Sequence, residues 1–216
     1  MKKLLFLTLG LLAAIIVPRT NGDDIRVNGI QTSPELTLGV WSSSERTKGG
    51  LGSQWKFTEE GEATCSFGAL VDFRYEIDGN QIKMILLDPD LTPTVKEEIQ
   101  EFLIDDKTLI LEPNSSTCRQ VMTRVGATSA GTHPIVGAWT YSHITGPTAV
   151  MRYFQNGICQ LSVPFQELKG TYGVDGNDVS IVLSGKNPIK AAFLPSEDIL
   201  TLTENDREQR RYIRYQ

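Results

Sequence analysis

The hexapeptide Tyr75-Glu76-Ile77-Asp78-Gly79-Asn80 returns 97 residues later as Tyr172-Gly173-Val174-Asp175-Gly176-Asn177. Each occurrence stands between alternating segments: Asp78-Gly79 joins FRYEI to QIKMILL, and Asp175-Gly176 joins GTYGV to DVSIVL. An Asp-Gly pair in that setting is the strongest short-range hairpin signal, because Gly supplies the positive φ that a tight turn needs. Outward from this hairpin the correspondences continue. Gly39-Val40-Trp41 is answered by Gly137-Ala138-Trp139, 98 residues on, and Trp55-Lys56-Phe57 before Gly61 by Tyr153-Phe154 before Gly157. Thr108-Leu109-Ile110-Leu111 is answered by Ile199-Leu200-Thr201-Leu202 at an offset of 91, and both copies finish on an arginine, Arg124 and Arg214. Ordered matches of this kind mark an internal duplication.

The duplication sets the domain plan. Residues 36–126 form repeat 1, the small and polar stretch 127–133 a linker, and 134–216 repeat 2. Short alternating segments at 8–12-residue spacing, punctuated by Gly, predict an all-β chain built from hairpins. One stretch reads two ways. Over 93–103, Thr94 to Glu97 can form a capping box, and Val95, Ile99, Phe102 and Leu103 share a helical face. The matching residues Ile189–Leu194, bounded by Pro188 and Pro195, read as a strand. The compromise is one helical turn near 93–98, inside a six-residue surplus of repeat 1, leading into a strand at 99–104.

Composition narrows the functional classes. Of 216 residues, 40% are hydrophobic and 22% charged, which is the balance of a soluble globular protein. A formal charge of -5 lacks the basic footprint of general nucleic-acid binding. At the front, Lys2 and Lys3 precede an apolar run from Leu4 to Val17 that is shorter than a bilayer span. The pattern predicts a signal peptide over 1–22, cleaved after Gly22, followed by a polar lead-in at 23–35. No cysteine near that boundary offers a lipid attachment point. The expected product is secreted or periplasmic, and touches a membrane only through an uncleaved signal segment. Charge differs between the copies: 38–125 carries 9 basic and 15 acidic residues, while 135–216 carries 8 of each.

Few residues invite chemistry. Cys65, Cys118 and Cys159 admit two readings: a Cys65–Cys118 disulfide, worth on the order of 4 kcal/mol by loop closure, or three small core residues. His133 and His143 have no ligand-spaced partners for zinc, and Asp88, Asp90, Asp105 and Asp106 read as turn acids rather than a calcium site. No metal, cofactor or catalytic residue is expected, and neither a nucleophile elbow nor a phosphate loop occurs. Arg207, Arg210, Arg211 and Arg214 read as a solvated last strand, with an anion-binding or docking patch as the alternative. Asn114-Ser115-Ser116 fits the glycosylation pattern, which matters only in a eukaryotic secretory route.

With Gly-x-Trp opening each copy and Arg closing it, the chain resembles the calycin superfamily, specifically the short lipocalin-like domains of secreted bacterial proteins. The resemblance implies two tandem small antiparallel barrels, up-and-down meanders of about eight short strands each. It also implies a Trp–Arg cation–π closure at each barrel end, Trp41 meeting Arg124 and Trp139 meeting Arg214. Trp and Arg stand 83 residues apart in repeat 1 and 75 in repeat 2, so both barrels are expected to be shallow and to lack a long gating loop. The leading expectation is a non-enzymatic binding or scaffold protein whose partner is another envelope protein. Its candidate contact loops are 42–53, with Lys48, Gly49 and Gly50 as contact residues and Gly49, Gly50 and Gly52 making it mobile, 87–94 and 143–149. A carrier of a small apolar ligand is the first alternative and an enzyme the second.

Overall fold

The computed structural model describes residues 38–88, 92–127, 131–176, 178–194, 199–204 and 208–214. The expected signal peptide and lead-in lie outside them. Fourteen antiparallel strands account for the fold, and no helix occurs among the described residues. Repeat 1 supplies β1 (Gly39–Ser43), β2 (Leu51–Phe57), β3 (Glu62–Asp78), β4 (Gln81–Leu87), β5 (Pro93–Ile104), β6 (Thr108–Leu111) and β7 (Gln120–Val125). Repeat 2 supplies β8 (Gly137–Ser142), β9 (Thr148–Tyr153), β10 (Ile158–Asp175), β11 (Asp178–Leu183), β12 (Ile189–Leu194), β13 (Ile199–Glu204) and β14 (Glu208–Ile213). The chain reverses at Gly79-Asn80 between Asp78 and Gln81, and again at Gly176, whose φ of 59° matches the 58° of Gly79.

The segment 93–103 is a strand throughout, which corrects the expected helical turn at 93–98. Its ladder with β4, from Gln81↔Glu101 to Ile85↔Glu97, outweighs the helical periodicity of so short a stretch. Period-two alternation then turns Ile99 and Leu103 to solvent and Phe102 to the core.

The strand order runs from β1 through β14 and closes by a β1–β14 pairing, while β3 and β10 also pair across the ring. These two strands are 17 and 18 residues long, about three times the usual strand. They align over 13 residue pairs, from Ile158↔Arg74 to Thr171↔Glu62. The crossing divides the ring into two eight-strand circuits. Circuit A takes β1, β2 and the first half of β3, with the second half of β10 and β11 to β14. Circuit B takes the second half of β3, β4 to β9 and the first half of β10. Each circuit has its own apolar core: Trp41, Trp55, Phe57, Ile181 and Leu200 among others in A, and Ile82, Phe102, Leu109, Trp139 and Tyr153 among others in B.

The expected tandem plan, in which each copy closes on itself, is therefore corrected. The copies exchange their first two and a half strands. The physical reason lies at the crossing, where neither long strand turns back. Gly68 faces Pro164, and the bulge between Pro164 and Gln166 absorbs the proline's missing donor. Equivalent side chains confirm the trade. The Tyr75 hydroxyl donates to the Phe154 carbonyl (2.7 Å), and the Tyr172 hydroxyl donates to the Thr58 carbonyl (2.8 Å), each reaching into the other copy.

Candidate functional site

The exchange also re-partners the closing residues. Arg214 lies 5.0 Å from the ring of Trp41, and Arg124 lies 4.0 Å from that of Trp139. The expected pairs, Trp41 with Arg124 and Trp139 with Arg214, are corrected: chemistry and position along the repeat are as read, but the partner comes from the other copy. Arg124 also donates to the carbonyls of Asp106, Pro134 and Val136, and the Trp139 indole N–H donates to Ile135 (2.8 Å). The first residues of repeat 2, Pro134 to Val136, thus plug that end of circuit B. Trp41→Leu combined with Arg214→Met should show a coupling of about 0.5–1 kcal/mol in a double-mutant cycle, while Trp41→Leu with Arg124→Met should be additive within about 0.3 kcal/mol. Urea titrations of the four single and double variants make the comparison.

From the Trp41–Arg214 end, inward residues of circuit A stack in levels. Trp41, Trp55, Cys65 and Leu168 are successive cross-strand neighbours. Above them the circuit opens into a hollow of about 340 Å³ lined by Trp55, Cys65, Leu168, Leu183 and Ile189, with Lys186 at its rim. A second hollow of about 190 Å³ adjoins the same end, between Ser43, Ser53, Phe67 and Arg210. There Ser53 and Tyr212 share a 2.8 Å hydroxyl hydrogen bond, and burial raises the Tyr212 phenol pKa. The walls of the larger of these two are apolar, and the hydroxyls and cations sit at the mouth. A larger hollow of about 480 Å³ lies over Gly173, bordered by Thr171, Ser180, Val182 and Lys190. The buried Val174, Val179 and Ala191 also border it.

Between the two cores lies a buried polar network that the sequence did not announce. Arg46 pairs with Asp72 at 2.5 Å, their side chains 7% and 1% exposed. The Gln160 amide donates to Asp72 (2.7 Å), and Gln54 donates to Gln160 (2.7 Å) and to Ser42 (3.0 Å). Arg152 donates to the Gln54 carbonyl oxygen at 3.2 Å, and its burial lowers its pKa to about 10. These residues alternate with core-facing ones, so they sit on the outer faces of both circuits, where those faces meet. In the sequence they are indistinguishable from solvent-facing polar residues.

Arg46 changes the reading of the loop at 42–53. Its guanidinium also donates to the Leu70 carbonyl (3.1 Å), and Thr47 and Leu51 close a turn in which Gly50 has a φ of 73°. Glu45, Thr47, Lys48 and Gly49 are exposed, and these bonds close the hairpin turn beneath the tip. Of the loop 87–94, residues 89–91 lie outside the described ones. In 143–149, Ile144 is fully exposed at the end of a turn held by His143 and Thr145 (2.8 Å). His133 accepts from the Ile135 N–H at 3.2 Å.

The cysteines correct both expectations. All three are thiols, so no Cys65–Cys118 bridge forms, and Cys118 is exposed rather than buried. Cys65 belongs to circuit A and Cys118 to a turn of circuit B. Cys159 is buried, and burial pushes its thiol pKa far up, as it pushes Tyr75 up to about 12. No group of three metal-ligating side chains converges among the described residues. Comparison of the chain with family models, curated proteins and solved structures finds no match.

Proposed function

We propose that the protein is a secreted or periplasmic, non-enzymatic binding protein made of two lipocalin-like barrels fused by exchange, with circuit A as the cup for a small apolar molecule. The single observation that supports this reading is the apolar hollow of about 340 Å³ opposite the Trp41–Arg214 closure. Its volume lies at the lower end of the range for ligand pockets, roughly 300–1,000 Å³. Circuit B serves as the rigid support. In this reading the scaffold role and the carrier role belong to different circuits of one chain.

Native mass spectrometry of the freshly purified protein tests the cup, and Trp55 in its wall gives a fluorescence readout with an apolar probe such as 1-anilinonaphthalene-8-sulfonate. Ile189→Trp should fill the hollow and weaken probe binding at least about tenfold without loss of fold, because removing room for one or two methylenes costs 1–3 kcal/mol of ligand binding. Unchanged binding in that variant rejects the cup.

A further inference from the structure

The six-residue surplus of repeat 1 is spent on β5, which has 12 residues where its counterpart β12 has 6. β6 pairs only with the last three, Phe102 to Ile104. Beyond Leu111 the chain swings away through Glu112, the one non-glycine residue with positive φ (49°) among the described residues, followed by Pro113. The first part of β5 therefore overhangs. On its far side from β4, no described strand pairs with residues 94–100. The Phe102 N–H points toward β4, bonded to Asn80, and the Glu101 carbonyl points the other way, bonded to the Glu112 N–H. Antiparallel alternation then aims the N–H and C=O groups of Glu97 and Ile99 at the open edge.

The face beside that edge is apolar. Leu103, Ile110 and Val121 are cross-strand neighbours on the outside of circuit B, with Leu103 55% and Val121 47% exposed, and Ile99 precedes them at 58%. Repeat 2 shows that the fold does not require this. At the positions of Ile110 and Val121 it carries Thr201 and Arg211, paired across β13 and β14.

We infer that the β5 overhang and its apolar flank dock a second copy of this chain, β5 against β5 about a two-fold axis. The occupant follows from the pattern of residues 95–99. Two antiparallel copies centred on Glu97 place Lys96 opposite Glu98 of the other chain, twice, and Val95 opposite Ile99, twice. Centring on Glu98 would set Glu98 against itself and leave Lys96 facing Gln100. Each chain already holds two such pairs of its own, Lys83–Glu97 at 3.0 Å and Lys96–Glu98 at 2.8 Å. In the favoured register the facing Glu97 side chains therefore keep an internal cation, and the two Lys96–Glu98 pairs join into one alternating four-charge cluster. An isologous contact of this kind joins one patch to itself and closes at two copies. Strand addition supplies main-chain bonds, and the charges fix the register.

Sedimentation velocity on the full chain over roughly 1–100 μM tests the interface. A dimer is expected, with Lys96→Glu alone and Glu98→Lys alone each weakening it on the order of tenfold. The double exchange Lys96→Glu/Glu98→Lys should restore it, because both intermolecular pairs return. Ile99→Lys, at a solvent-exposed site, should abolish the dimer while circular dichroism stays unchanged. A monomer across the whole range, a dimer indifferent to the charge exchanges, or an open-ended oligomer would each overturn the inference, whatever the cup binds.

Discussion

Asp72→Ala should lower the unfolding free energy by about 3–5 kcal/mol, the cost of leaving a buried partner charge uncompensated. Arg46 is 7% exposed and bound to Asp72 at 2.5 Å, so it cannot recover full hydration without opening the junction. Gln160 would lose its acceptor at the same time. The double variant Arg46→Met/Asp72→Leu should be less damaging than the single one, because it removes both charges together. Urea unfolding followed by tryptophan fluorescence measures both. A loss below about 1 kcal/mol for Asp72→Ala would place the pair in the solvent-screened class and refute a sealed junction.

Gly68→Ala should cost about 3 kcal/mol, the upper end of ordinary overpacking. A Cβ at this position would stand 2.0 Å from the Val163 carbonyl oxygen and 2.8 Å from the Pro164 Cα, and both neighbours are backbone that cannot rotate away. Gly170→Ala meets the same obstacle at the Val182 carbonyl, 1.9 Å away. Three residues further along the same strand, Gly173 has nothing within 4 Å. Gly173→Ala should therefore be neutral or stabilise by about 0.5 kcal/mol through the unfolded chain. Thermal melts of the three variants separate the positions. Equal effects at Gly68 and Gly173 would mean that glycine matters here for flexibility and not for the close approach of two strands.

Much of the architecture is legible in the residues. The repeated Asp-Gly hairpin, the Phe57–Gly61 and Tyr153–Gly157 turns and the two Trp–Arg closures are local or symmetric signals, and they survive whichever copy supplies the partner. The exchange is not legible, because every contact it makes has a chemically equivalent counterpart within one copy. Trp41 faces an arginine in both arrangements. Only the geometry at Gly68 and Pro164 separates them, and a glycine opposite a proline reads equally well as a bend or as a crossing. Segment 93–103 was ambiguous for another reason: its helical pattern was genuine, but Val95 and Ile99 are apolar residues facing solvent, so the usual link between hydrophobicity and burial fails there. The hollow of circuit A could not be placed from the sequence, since Cys65, Leu168 and Ile189 look like ordinary core positions. The polar junction was missed because alternation reports which face a residue is on, and not what that face meets.

Circuit B is contiguous, running from Leu70 to Pro164, whereas circuit A joins residues 38–69 to 165–214. During synthesis from the N-terminus, the half that finishes last is the one that started first. Circuit B can assemble once β10 has begun to emerge, but β1 must wait for β14, about 170 residues later. Until then Trp41, Trp55 and Phe57 have no lasting place to hide, and the nascent chain carries that exposed aromatic cluster until β14 is made.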